Sequence, residues 1–148
     1  IALYGLYPDF PEGVNFRMPK LKQLISLKGR IVNIHTAKDG EGISYCHTYT
    51  AKGERTIATV PLGYADGIPR LLSNKITGRL NGVEVPQVGN ITMDQMMFDI
   101  TGVKATTGDV ITLLDEDKSI DEWAKILHTI NYELTCRLKV RLPRVYTR

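Results

Sequence analysis

Cysteine is scarce in this sequence. Cys46 and Cys136 are too few for a disulfide framework and form no C-x-x-C pair, which argues for a reducing, cytoplasmic setting. No apolar run approaches the roughly 20 residues that span a bilayer, and no signal-peptide pattern is present, so no membrane partner is expected. The three histidines, His35, His47 and His128, have no i, i+4 pairing and no nearby cysteine or carboxylate cluster, so no metal site is expected. Absence of a G-x-S-x-G elbow leaves a hydrolase without support. Glycine-rich phosphate loops of the G-x-G-x-x-G or Walker type are missing as well. The net charge of +3 suits an anionic ligand but falls short of the dense basic patch of a nucleic-acid protein.

What is there reads as a folded β domain. At 148 residues, with 43% hydrophobic and 24% charged side chains, the chain is large enough to bury one real core. "LISLKGRIVNIHTA" and "RTIATVPLG" carry β-branched strand signals. Asn81-Gly82 between two apolar runs predicts a hairpin, because both residues tolerate positive φ. "QMMFDIT" and "DVITLLD" read as further strands. "CRLKVRLPRVY" alternates strictly and reads as a closing strand, with Leu138, Val140 and Leu142 on one face and Arg137, Lys139 and Arg141 on the other. One helix is expected over about residues 119–130, opened by a Ser119–Glu122 capping box, with Ile120, Trp123, Ile126, Leu127 and Ile130 on one face. The predicted architecture is mainly β, an antiparallel barrel-like domain with one clear helix.

Three stretches are candidates for chemistry. "GISYCHTYT" sets Tyr45, His47 and Tyr49 at alternate positions, so as a strand they share one face, either packed or chemical. "PLGYADGIPR" holds Tyr64 and Asp66 between two glycines directly after an apolar strand. "VGNITMDQMMFDI" sets Met93 and Asp94 after a glycine turn. Taken singly, the last two read as ordinary loops in which an aspartate supplies a turn or a cap. The basic alternation near the end of the chain reads as a solvated face on an edge strand.

Taken together they carry more. "IALYGLYP", "SLKGRIV", "GISYCHTYTA", "ERTIATVPLGYADGIPR", "VPQVGNITMDQMMFDIT", "GDVITLL", "TINYEL" and "RLPRVY" occur in this order along the whole chain. The set resembles the C-terminal half of bacterial alanine racemase, a fold-type III enzyme dependent on pyridoxal phosphate. The resemblance implies a homodimer, in which each active site lies between the β/α barrel of one subunit and the mainly β domain of the other. Residues 1–12 would then be the remnant of the barrel and residues 13–148 the β domain. The apolar start without an initiator methionine fits a fragment of a longer protein.

The resemblance also implies roles. Tyr45 matches the base that acts on the L-alanine side, while the lysine that carries pyridoxal phosphate lies in the barrel, outside this chain. A free phenol has a pKa of about 10 and needs neighbouring donors or positive charge to act as a base. In the family those groups come from the barrel. Met93 matches the residue whose backbone N–H meets the substrate carboxylate, with Asp94 supporting that loop. Tyr64 lines the inner substrate passage, and Arg70 belongs to the middle layer of the corridor. Tyr146 and Ile1 match residues that meet the cofactor phosphate. Tyr146 also crowds the substrate side chain, which favours alanine over serine.

One departure stands out. Many members read "VGR" where this chain reads "VGN", so Asn90 replaces an arginine of the entrance corridor and alters steering of the substrate carboxylate. Cys46 is expected to be a packed thiol without a task. Arg144 and Tyr146 are expected to turn toward the site, and Arg137, Lys139 and Arg141 to stay solvated. The implied activity is interconversion of L- and D-alanine by α-proton abstraction, supplying D-alanine for peptidoglycan. Two alternatives stand beside it: a pyridoxal-phosphate decarboxylase of basic amino acids, whose cysteine-centred site "SYCHTY" does not match, and a non-catalytic β-barrel module for assembly or binding.

Overall fold

The computed structural model describes residues 1–8 and 19–147. The expected domain boundary at residue 12 therefore lies outside the described residues. Among the described residues nine strands follow in chain order: β1 (Leu27–Arg30), β2 (Asn33–Ala37), β3 (Gly42–Ile43), β4 (Tyr49–Thr50), β5 (Arg55–Val60), β6 (Thr77–Leu80), β7 (Val83–Val88), β8 (Met96–Asp99) and β9 (Val110–Leu114). Two helices close the chain, α1 (Ile120–Leu127) and α2 (Asn131–Arg137). No helix among the described residues is long and apolar enough to cross a membrane.

Seven strands form one antiparallel sheet in the order β1-β9-β6-β7-β8-β5-β2. Its two edge strands, β1 and β2, are consecutive in the chain and separated only by Ile31 and Val32. Ile31 N–H donates to Asp109 O beside β9, and Val32 N–H donates to Thr59 O on β5. A two-residue link can join opposite edges only if the sheet curls until they meet, so the seven strands wrap into a half-barrel. The long β-branched run of the sequence is thus two strands broken at this crossing.

Alternation fills the interior. Leu27 on β1, Leu80 on β6, Val85 on β7, Met96 and Phe98 on β8, and Ile111 and Leu113 on β9 are buried in one cluster with Ala58 and Val60 of β5. Gly78 faces inward where an added Cβ would come within 2.3 Å of Ile111 Cγ2 and 3.1 Å of Phe98 Cε1, so the Ile111 methyl, with the Phe98 ring behind it, takes the space a side chain would use. The Asn81-Gly82 turn joins β6 to β7 with φ of 50° and 82°, as the hairpin requires. Leu6, Ile120, Trp123, Ala124 and Leu134 extend the same buried cluster beyond the strands.

The helical region differs from expectation in three ways. First, α1 ends at Leu127, where His128 adopts φ 53°, and α2 follows as a second helix. Second, Ser119 caps α1 by accepting from Asp121 N–H at 3.1 Å, but Ile120 N–H donates to Gln23 Oε1 at 2.8 Å, a cap supplied from far along the chain. Third, "CRLKVRLPRVY" is not a strand. Its first residues complete α2, held by the Glu133–Arg137 pair at 2.6 Å. Asn131, buried, anchors the start of α2 by donating to Tyr7 O and Asp121 Oδ1. Residues 138–147 then run irregularly, with Leu138 and Leu142 against the core and Val140 91% exposed. Local i, i+4 pairing and packing on α1 outweigh the alternating pattern here.

Candidate functional site

The stretch that carries Tyr45 is a flap, not a continuous strand. β3 and β4 pair through Gly42–Thr50 and Ile43–Tyr49, and residues Tyr45–His47 bulge between them as a single 3₁₀ turn. Ser44, Cys46 and His47 all have positive φ, at 64°, 61° and 45°. Three such residues throw the backbone out of the strand, so Tyr45, His47 and Tyr49 do not share a face. His47 folds its ring over Gly42, where a Cβ would stand 2.3 Å from the imidazole. Tyr49 lies half-buried and donates its hydroxyl to Asp99 Oδ2 at 3.1 Å. Burial pushes its phenol above the ordinary value, Asp99 adds to that by hydrogen bond and charge, and Arg55 opposes it. Tyr45 is left 73% exposed. Cys46, expected to be packed, is exposed for the same backbone reason.

Beneath the flap, a small cluster of Ala37, Ile43, Ala51, Ile57 and Val88 seats it on the sheet. Asn90, only 7% exposed, donates from Nδ2 to Tyr45 O at 2.8 Å, while Ser44 Oγ donates to Asn90 O at 2.7 Å. The residue expected to alter a charged corridor therefore also ties down the backbone of the tyrosine turn.

Two further turns complete the wall. The Gly63–Gly67 turn follows β5, and Gly63 N–H donates to Asp66 Oδ2 at 2.8 Å. The 92–95 turn precedes β8. Tyr64 N–H donates to Thr92 O and Ala65 N–H to Met93 O, both at 3.0 Å, so the two turns are zipped backbone to backbone. The result is an open cleft of about 660 Å³ lined by Tyr45, Tyr64, Arg70, Asn90, Met93 and Asp94, with Ser44, Ile91, Thr92, Gln95 and Met97.

Residues 24–146 match the family model described as the C-terminal domain of alanine racemase. The chain belongs to that family. It is 43% identical to an alanine racemase of Nostoc sp., over 98% of this chain and 38% of that protein. With an alanine racemase of Halalkalibacterium halodurans it shares 44% identity, over 100% of this chain and 39% of the relative. Alanine racemase of Clostridium difficile 630 superimposes with a TM-score of 0.89 at 39% identity, covering 99% of this chain and 38% of that one. The chain thus spans about two-fifths of the length of the curated relatives it matches. As a member of the alanine racemase C-terminal domain family, it has the fold the sequence led us to expect, a mainly β, curled antiparallel sheet, with two helices in place of one.

Six of the eight residues singled out in the sequence meet in this one cleft of the racemase domain. Tyr146 and Ile1 do not. Tyr146, 89% exposed, lines a separate groove with Leu3, Tyr4, Leu24 and Leu142, and Ile1 lies in a shallow neighbour that shares Tyr4. Arg144 leans back to donate to Leu138 O, so neither it nor Tyr146 turns into the cleft. Arg141 stays half exposed, as expected of a solvated cation, and also donates to Asp66 and to Asp94 of the cleft wall, at 2.6 and 2.7 Å. No local signal announces this contact, because its partners lie 75 and 47 residues away in the chain. Arg137 pairs with Glu133 on its own helix.

The donor set bears on the cofactor. The cleft offers phenols, a guanidinium and turn backbone, which suit an anionic amino-acid adduct. No lysine is among its lining residues, so the cleft has no amine to hold an aldehyde covalently. The lining residues would fit an anionic cofactor such as pyridoxal phosphate by charge and hydrogen bonding, not by a covalent link.

Proposed function

We propose that this chain acts within a longer alanine racemase, as the domain that supplies one wall of an active site shared between two subunits of a homodimer. The observation that carries this reading is the convergence of Tyr45, Tyr64, Arg70, Met93 and Asp94 on one open cleft that lacks a lysine. Pyridoxal phosphate, when bound, supplies the electron sink that makes the substrate α-proton removable. Tyr45 is the group that takes and returns that proton at its phenolic oxygen on the L face, and it stands well exposed on a pinned turn. The Met93 backbone receives the substrate carboxylate, with Asp94 bracing the turn. Tyr64 narrows the passage, and Arg70 and Asn90 line its entrance. A role for Tyr146 and Ile1 toward the cofactor phosphate would be played at a second face of the domain. The product, D-alanine, would serve peptidoglycan synthesis in the cytoplasm.

The test uses the full-length protein loaded with pyridoxal phosphate, in heavy water, following α-proton exchange of L- and D-alanine by NMR. Wild type exchanges both enantiomers. Tyr45→Phe is expected to lose at least ~10²-fold of the exchange from L-alanine while D-alanine exchange persists. The 148-residue chain alone is expected to racemise neither. Equal loss from both faces would remove Tyr45 from the role of L-face base.

A further inference from the structure

Arg141 sits where three distant segments of the chain meet. It arrives from the irregular run after α2. Its Nε donates to Asp66 Oδ1 at 2.6 Å, and its Nη2 donates to Asp94 Oδ1 at 2.7 Å, with Asp66 Oδ2 also within 3.5 Å. Asp66 is 3% exposed and already accepts Gly63 N–H, so its remaining oxygen depends on this guanidinium. Asp94 is on the surface of the same turn that holds Met93. The run from α2 is itself fixed against the Gly63–Gly67 turn: Lys139 N–H donates to Asp66 O at 3.1 Å, and a Cβ on Gly67 would lie 2.0 Å from Arg137 O. The fork of Arg141 thus bridges a buried carboxylate, whose position is set, to an exposed one, whose position is not.

From this we infer that Arg141 is a positioning residue of the half-site: by clamping Asp94 to Asp66, it fixes the Met93–Asp94 turn against Tyr64 for capture of the substrate carboxylate. The inference rests on the racemase reading for the identity of that carboxylate, but the clamp itself is a property of this chain. Arg141 touches neither reacting atom nor cofactor in this scheme. It acts through Asp94. A guanidinium spans both carboxylates, whereas a lysine ammonium is a point charge that meets one well and the other poorly.

The experiment compares wild type, Arg141→Ala, Arg141→Lys and Asp94→Asn in the full-length protein with pyridoxal phosphate. It measures KM and kcat for L-alanine, the Kd of propionate as a non-reacting carboxylate probe, and hydrogen exchange of the Ala65 amide, which donates to Met93 O. Arg141→Ala is expected to raise KM and the propionate Kd about tenfold, the loss of one charge-assisted contact, with kcat changing far less. Exchange at Ala65 should quicken by a similar factor. Arg141→Lys should recover part of each effect. Asp94→Asn keeps the Asp66–Arg141 pair, so it should reproduce the KM change even if Arg141→Ala fails to fold. Unchanged KM, Kd and Ala65 exchange in Asp94→Asn would overturn the clamp. Wild type without alanine turnover would instead sink the racemase reading, and the exchange measurement would still decide the role of Arg141.

Discussion

Gly63→Ala is a one-methyl perturbation whose consequence can be worked from the structure. Gly63 has φ −152° and ψ −163°, extended backbone that alanine adopts freely, so the substitution brings no conformational strain of its own. Its cost is steric. A Cβ there would lie 2.3 Å from both Thr92 O and Met93 O, about 1.1 Å inside the 3.4 Å at which ordinary contact begins. Neither obstacle is the end of a flexible side chain. Both are backbone carbonyls, and both accept the hydrogen bonds that zip the two turns together. Relief requires the 92–95 turn to move away by about an ångström, stretching the bonds from Tyr64 and Ala65. Overpacking of this kind costs about 1–3 kcal/mol.

Two assays read that displacement. In the chain itself, exchange of the Tyr64 and Ala65 amides should quicken about 30-fold, the equivalent of about 2 kcal/mol of local opening. If the full-length protein racemises alanine as proposed, its kcat/KM should fall on the order of 10²-fold, the usual consequence of misplacing a site by about 1 Å. Retained exchange protection would show that the turns absorb the methyl elsewhere. Quickened exchange with activity within about threefold of wild type would show that the 92–95 turn does not position substrate, and the assignment of Met93 would fall.

Two further outcomes are expected. Asn90→Ala removes the donor to Tyr45 O and should lower stability by about 1 kcal/mol in urea unfolding. Asn90→Asp, which places an acceptor against that carbonyl, should cost more, and equal stability of Asp and wild type would refute the bond. Glu84 carries a pH signature. Partial burial alone would raise its pKa, but hydrogen bonds from Lys118 and Thr77 and the charges of Lys118 and Arg79 outweigh that and hold it below the ordinary glutamate value. A carboxyl with a lowered pKa stabilises the fold above its unfolded pKa and loses that contribution as pH falls through its folded one. Glu84→Gln should therefore flatten the fall in stability below about pH 4.5, measured as the urea midpoint against pH, and an unchanged acid limb would count against the network.

The strands were legible because their signals are local. Alternation in "MMFD" and "VITLL" sets one face inward, and Asn81-Gly82 can turn only one way, so β6 to β9 stand where the sequence puts them. The cleft was legible only through the resemblance that joins Tyr45, Tyr64, Met93 and Asp94, because taken singly their stretches read as packing or as ordinary loops. What the sequence hid is long-range. Arg141 looks like one of three alternating cations until Asp66 and Asp94 are brought to it. Asn90 looks like a lost charge until its amide meets Tyr45 O. The end of the chain alternates like a strand, yet both edges of the sheet are already used in the curl, and α2 takes its first part instead.

The tyrosine turn joins these observations into one argument about strain. Ser44, Cys46 and His47 each occupy the left-handed region that disfavours side chains, at roughly 1–3 kcal/mol apiece. Such a turn persists only where its surroundings over-determine it. Here Asn90 bonds Tyr45 O, Ser44 bonds Asn90 O, and Gly89, at φ 74°, leaves room for Ile43 O and Ser44 Cβ that a Cβ would occupy at 2.6 and 2.9 Å. A continuous strand through residues 42–50 would avoid the strain, but it would turn Tyr45 into the line of the sheet. The strained flap leaves the phenol exposed while Asn90 holds the Tyr45 carbonyl and the Ser44 hydroxyl holds Asn90. The turn is thus held at its root and open at its tip, and the contacts that hold it, from Asn90, Ser44 and Gly89, all lie within this chain.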